Sequence, residues 1–175
     1  MEKQINRTKI YDGKIIKVFK DDVVLDDGTK TLREVIEHNG GAAIALKDGD
    51  SYYMVKQYRY PQHKEMIEFP AGKIEKGEDP LETVKREVEE ETGYSAKDIK
   101  LLGYIIPTCA YDTEKIYLYH GIKDKEVGQH LDENERLNVY KYKFDDLRKM
   151  VISGEIDDAK TVALMYRIEL EGLND

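Results

Sequence analysis

Apolar and polar residues change their spacing several times along this chain, and each change marks an element. Lys14 to Leu25 is rich in Ile, Val and Phe, Asp26-Asp27-Gly28 is a turn signal, and Thr31 to His38 resumes extended character. The first 38 residues therefore predict a small antiparallel sheet. After Asn39-Gly40-Gly41 an apolar run, Ala42 to Leu46, turns at Lys47-Asp48-Gly49-Asp50 and returns as Ser51 to Tyr58. Arg59-Tyr60-Pro61 breaks that strand, and Met66 to Ala71 delivers the chain into Gly72. The period then becomes helical: at 100° per residue Leu81, Val84 and Val88 form one stripe. Asp79 suits the N-cap, Pro80 the first helical position, Glu82 a capping box, and Gly93 a left-handed end. Further strands are predicted at Leu101 to Ile106, Lys115 to Ile122 and Asn138 to Lys143. Helices are predicted at Phe144 to Ile152 and at Asp158 to Leu170, the latter with Val162, Met165 and Tyr166 inward. The pattern predicts an α/β (α+β) fold, a mixed sheet with helices on both faces.

Length adds a domain expectation. With 175 residues the chain divides into a small β subdomain, 1–38, and one main domain, 39–175. The net charge of −8 argues against a nucleic-acid surface. A single cysteine, Cys109, excludes an internal disulfide and fits a reducing cytosol, and it is expected to be a small buried hydrophobe. No apolar run approaches membrane-spanning length and the N-terminus has no export-type segment, so a cytoplasmic protein without membrane contact is expected.

Candidate chemistry concentrates in Gly72 to Tyr94. Glu87 and Glu91, at i and i+4, lie beside the apolar stripe and border the core, and Glu90 adds a third like charge within roughly one turn. Such crowding costs a few tenths of a kcal/mol per pair unless a cation sits among the carboxylates. A hard divalent ion such as Mg²⁺ suits oxygen donors better than zinc does. The alternative is a solvated surface helix, supported by an i, i+4 pair of Glu82 with Arg86.

The full stretch resembles the Nudix box, G-x5-E-x7-R-E-U-x-E-E-x-G-U with U aliphatic. Gly72, Glu78, Arg86, Glu87, Val88, Glu90, Glu91 and Gly93 fall on it, and only Tyr94 departs. Seven fixed identities coincide by chance about once in 10⁸ starting points. The resemblance implies an α/β/α sandwich that hydrolyses a pyrophosphate joining a nucleoside to another group, with Mg²⁺, for which Mn²⁺ can substitute. It implies Glu87 and Glu91 as principal metal ligands, Glu90 as an additional one and the Ala71 carbonyl as a further one. Arg86, paired with Glu78, would orient the cluster.

A second acidic stretch, Leu131-Asp132-Glu133-Asn134-Glu135-Arg136, is by composition a solvated loop. It is also similar to the D-E-N-E loop of the ADP-ribose pyrophosphatase subfamily, which implies Glu133 as general base and Glu135 as a metal ligand. The same likeness places Arg33, Glu37, Arg59, Lys73 and Glu114 at nucleotide-sugar contacts, each with the alternative of an ordinary surface charge. GEIDDAKTVAL near the C-terminus is similar to this group as well. Relatives specific for ADP-ribose carry a Ser-Pro-Gly turn where this chain has Pro107-Thr108-Cys109-Ala110, so Thr108, Cys109 and Ala110 bear on sugar preference. The resemblance further implies a homodimer through the N-terminal sheet. The leading expectation is a Mg²⁺-dependent hydrolase of ADP-ribose or a related nucleoside diphosphate sugar. GDP-mannose or another nucleotide sugar, a non-catalytic nucleotide-sensing module, and an enzyme of capped RNA or nucleoside triphosphates are the alternatives.

Overall fold

In the computed structural model, which describes residues 1–133 and 135–174, the chain forms two compact units. Asn134 of the predicted acidic loop lies outside the described residues. The first unit comprises residues 1–40 and 106–115, the second 41–105 and 116–175.

The first unit is an antiparallel sheet in the order β1 (Glu2–Asp12), β2 (Ile16–Leu25), β3 (Lys30–His38). Strand β2 alternates as a half-buried strand should, turning Phe19, Asp21 and Val23 to one face. A buried carboxylate needs a partner, and Arg7 of β1 supplies one side-on: Nε and Nη2 reach the two Asp21 oxygens at 2.8 and 2.7 Å. The same guanidinium stands 4.6 Å over the Phe19 ring. Segment 106–115 is tied to β3, where Ile36 N donates to Tyr111 O at 2.7 Å and Thr113 N to Ile36 O at 3.0 Å.

The second unit contains β4 (Gly41–Asp48), β5 (Ser51–Arg59), β6 (Lys64–Glu68), β7 (Ala71–Lys73), α1 (Pro80–Thr92), β8 (Tyr94–Ile105), β9 (Ile116–Glu126), β10 (Leu137–Lys143), α2 (Phe144–Ser153) and α3 (Ala159–Leu170). Its sheet runs β10-β5-β4-β9-β8, with β4 and β9 parallel. Hairpin strands β4 and β5 pair only near their turn, at Lys47 with Tyr52 and Asp48 with Ser51. Beyond that they splay: β6 pairs with β5 and β7 with β4, and the chain crosses between them at Phe69-Pro70. Ile44 N closes the crossing on Pro70 O at 2.9 Å.

Successive residues of β4 face opposite ways, which builds a core on each side of the sheet. Ala42, Ile44 and Leu46 meet Val84 and Val88 of α1, while Ala43 and Ala45 share a cluster with Phe69, Leu118, Leu147, Leu164 and Ile168. Burying each large apolar side chain contributes about 1.5–3 kcal/mol, so both helical layers are held by contact rather than by propensity. This is the expected three-layer arrangement with a separate small antiparallel sheet.

Three expectations fail locally. Of the predicted inner residues of α3, Met165 is buried and Val162 packs against the core, but Tyr166 is 62% exposed; Thr161, Leu164 and Ile168 complete the buried face. Cys109 is exposed, not buried. Glu82 pairs with Lys85 at 2.8 Å, and Arg86 turns to other carboxylates. Among the described residues, no helix is long and apolar enough to cross a membrane.

Candidate active site

The site is built on α1, whose ends are set locally. Asp79 accepts the Leu81 N–H at 2.8 Å, and Gly93, at φ +79, returns its N–H to Glu89 O at 2.9 Å. The helix packs Val84 and Val88 into the core, and the adjoining face brings Glu87 and Glu91 under the β7 loop. Glu91 is 2% exposed and its Oε2 accepts the Ala71 N–H at 3.0 Å. Gly72 lies over Glu87 so closely that a β-carbon there would come within 1.9 Å of the carboxyl carbon. Only glycine allows this approach.

Electrostatics explain what the cluster demands. Burial, then the charge of neighbouring Glu87, pushes the Glu91 carboxyl well above its ordinary range. Burial raises Glu87 too, against the lowering effect of Arg86. Arg86 Nη1 donates to Glu87 Oε1 at 2.7 Å and to Glu90 Oε2 at 3.0 Å, while Nε and Nη2 reach Glu78 at 3.2 and 3.3 Å. The Arg86 hydrogen bonds hold Glu78 down at about 2. One planar guanidinium thus gathers three of the predicted carboxylates.

The acidic loop is brought to the same place by the end of α1. Val127 N and Gly128 N both donate to Gly93 O, His130 N donates to Glu90 O at 3.0 Å, and Gln129 Nε2 to Glu91 O at 2.6 Å. Glu135 follows, with Gln57 Nε2 at 3.4 Å from its Oε1, and its charge helps to raise both Glu87 and Glu91. Arg136 holds the loop by donating to the carbonyls of Glu133 and Glu135 at 3.0 and 2.6 Å, and the Glu133 residue itself is exposed.

Nudix hydrolases use divalent metals, and the donor set here fits one. It is all carboxylate, with Glu91 buried and Glu87 half-buried, and a hard cation would relieve their desolvation and repulsion. Among the described residues, no three acidic, histidine or cysteine side chains converge on one metal-sized point, since Glu87 and Glu90 turn to Arg86.

Arg59 of the predicted substrate contacts also belongs to this unit. It binds Glu68 side-on at 2.6 and 2.7 Å, and its charge is felt at Glu91. Lys73 lies on β7 opposite Gly41. The remaining predicted contacts belong to the first unit. Arg33 and Ala110 share a cavity of about 760 Å³ with Val18, Leu32, Ile36 and Tyr111. Arg33 is paired with Glu2, Glu37 stands 3.8 Å from Arg7, and Glu114 Oε1 is 3.3 Å from His38 Nδ1. Thr108 and Cys109 lie on the 106–115 segment.

The sequence reading passed over Glu68, Lys160, Gln129 and Arg136. An acid inside the apolar run Ile67-Glu68-Phe69 was the available signal, because such a carboxylate requires a buried cation.

A helix-borne carboxylate set under a glycine loop, on a three-layer fold, defines the class. The family profile described as "NUDIX domain" matches residues 37–165, and the chain belongs to that family as a Nudix hydrolase. It is 38% identical to an ADP-ribose pyrophosphatase of Bacillus subtilis (strain 168) over 173 residues, covering 97% of this chain and 94% of the relative. It is 37% identical to a methanol dehydrogenase activator of Bacillus methanolicus, with the same coverage. The solved structure of an ADP compounds hydrolase shares the fold, at TM-score 0.87 and 18% identity, over 98% of this chain and 95% of that one.

Proposed function

We propose that this hydrolase cleaves the pyrophosphate bond of ADP-ribose or a related nucleoside diphosphate sugar, giving AMP and a sugar phosphate, with Mg²⁺ as cofactor. The observation that carries the reading is the Glu87–Glu91 pair, Glu91 buried and Glu87 half-buried, anchored beneath Ala71 and Gly72 with Glu135 in electrostatic reach. The similarity to an ADP-ribose pyrophosphatase along almost the whole chain supports the substrate class.

Glu87 and Glu91, with Glu90, Glu135 and the Ala71 carbonyl, would hold the ion. Bound there, it supplies positive charge to the diphosphate oxygens and makes water a better nucleophile. Arg86 holds Glu87, Glu90 and Glu78 together in the ion-free state, and Glu87 and Glu90 would turn from it to the ion on binding. Glu133, exposed on a loop fastened to the end of α1, takes the proton from the attacking water. Arg59 offers its guanidinium to a substrate phosphate. Arg33, Glu37, Lys73, Glu114 and the Thr108-Cys109-Ala110 turn contact the rest of the nucleotide sugar. A homodimer through the N-terminal sheet fits the long, exposed strand β1 with its exposed Ile5, Ile10 and Tyr11.

The test is product analysis with Mg²⁺ and ADP-ribose, ADP-glucose, GDP-mannose or a nucleoside triphosphate in parallel. AMP and ribose 5-phosphate should form fastest from ADP-ribose. Failure to cleave any of the four would overturn the reading.

A further inference from the structure

Glu68 is 2% exposed within an apolar run, and burying a lone carboxylate that deeply is costly. Two cations from different elements meet it. Arg59, the last residue of β5, binds it side-on through Nε and Nη2. Lys160, the second residue of α3, donates to Glu68 Oε2 and also stands 3.0 Å from Asp158 Oδ2. The peptide next to Glu68 is fastened to the same helix end: Phe69 N donates to Thr161 Oγ1 at 3.0 Å, and Thr161 Oγ1 donates to Asp158 Oδ2 at 2.7 Å. Asp158 in turn accepts the Thr161 N–H at 2.9 Å.

One cation would satisfy the charge of Glu68; the second makes the carboxylate immobile. Burial pushes the Glu68 carboxyl up, but Arg59 and Lys160 overcome this and hold it at about 2, so it stays ionised. A side-on pair occupies the Nε–Nη2 edge of a guanidinium and leaves the Nη1 end to point elsewhere. Arg59 lies in electrostatic reach of Glu91, and a cavity of about 430 Å³ opens beside it, bordered by Gln62, Met66, Asp157, Asp158 and Lys160. The Gly154-Glu155-Ile156-Asp157-Asp158-Ala159-Lys160-Thr161 stretch thereby gains a purpose.

We propose that Glu68 is a positioning residue: locked by Lys160, it fixes the Arg59 guanidinium at the rim of the carboxylate site so that its free end meets a substrate phosphate. This rests on the reading of the site as one for a nucleoside diphosphate. Preorganising one arginine this way spares the ordering cost that a flexible side chain would otherwise impose on binding.

The experiment is a double-mutant cycle on the full chain with Arg59→Lys, Glu68→Gln and the pair combined. Its readouts are KM and kcat on ADP-ribose with Mg²⁺, calorimetric Kd for the uncleavable α,β-methylene ADP, and thermal stability. Each single variant should raise KM and Kd about tenfold, with the larger change in KM than in kcat, and the double variant should be no worse than Arg59→Lys. Lys160→Met should weaken binding as well, and Lys160→Arg should restore it. A wild-type Kd in Glu68→Gln, or additive losses of about a hundredfold in the double variant, would overturn the proposal by reducing Glu68 to a prop for α3. Should Glu68→Gln not fold, Arg59→Lys with Lys160→Met completes the cycle, and additivity there would overturn it equally. Wild-type protein that binds the analogue without cleaving nucleotide sugars sinks only the hydrolase reading, whereas equal Kd in wild type and Arg59→Lys sinks this one.

Discussion

Gly72 and Glu87 approach each other so closely that a single added methyl at position 72 would stand 1.9 Å from the Glu87 carboxyl carbon. The atoms in the way are the far end of a flexible side chain, so the backbone need not move. We expect Gly72→Ala to fold with a thermal midpoint within a few degrees of wild type and to lose metal-dependent turnover by about a hundredfold or more. Loss of fold together with activity, seen by circular dichroism, would show that Gly72 serves the loop rather than the carboxylate.

Glu91→Gln separates charge from shape. The amide oxygen can still accept the Ala71 N–H, while the repulsion of Glu87 disappears. In metal-free buffer the variant is expected to melt at or above the wild-type temperature, because a buried and repelled carboxylate costs stability at neutral pH. Adding Mg²⁺ should raise the midpoint of wild type by several degrees, as a ligand at about a hundred times its Kd contributes about 2.7 kcal/mol, and leave the variant unmoved. Turnover should fall by orders of magnitude; near-normal turnover would refute the ligand assignment.

For Glu133→Gln the expected defect lies in kcat. The side chain is exposed on a loop whose backbone, not its carboxylate, is held by Arg136, so removing the charge leaves the loop in place. Substrate affinity measured by calorimetry should change little while kcat drops by about 10²–10⁴-fold. A variant defective only in binding would move Glu133 from proton transfer to substrate contact.

Acid should act through His120. The residue is 5% exposed, its Nε2 has no hydrogen-bond partner among the described residues, and Tyr52 presents a ring 6.1 Å away. Burial, then the charges of Lys47 and Lys100, lowers its pKa to about 4 from 6.5. The native state therefore keeps a neutral imidazole while the unfolded chain takes up a proton. The stability cost is absent above 6.5 and grows as pH falls to about 4, reaching on the order of 3 kcal/mol. Denaturant titrations across this range should show that slope in wild type and a flatter one in His120→Leu; equal slopes would refute it.

Much of this architecture was legible in the chain because caps, turns and periods are local. Asp79, Pro80 and Gly93 announced α1 within a residue, and Glu87 and Glu91 announced a shared face. What escaped depends on partners far along the sequence. Strands β6 and β7 are five and three residues long and interrupted at Pro70, too short for a period, and exist because β4 and β5 splay to receive them. By spacing alone Arg86 could as well pair with Glu82; the pairing with Glu78, which the motif implied and the structure has, depends on the path of the Gly72–Glu78 loop. The burial of Thr161 on α3 goes with its bond to Phe69 N, a partner that no helical wheel contains.

The fastening of residues 127–130 to the last turn of α1 also separates two kinds of change. Gly93 and the carbonyls of Glu90 and Glu91 bind the chain just before the acidic loop, and β10 takes it up again at Leu137. Between these fixed points the chain carries Glu133 and Glu135, so a change of length there would move the proposed base and one proposed ligand while Glu91 keeps its bond to Ala71 on the helix side. The helix thus sets where the carboxylate cluster stands, and the length of the chain between Gly93 and Leu137 sets how far Glu133 and Glu135 reach toward it.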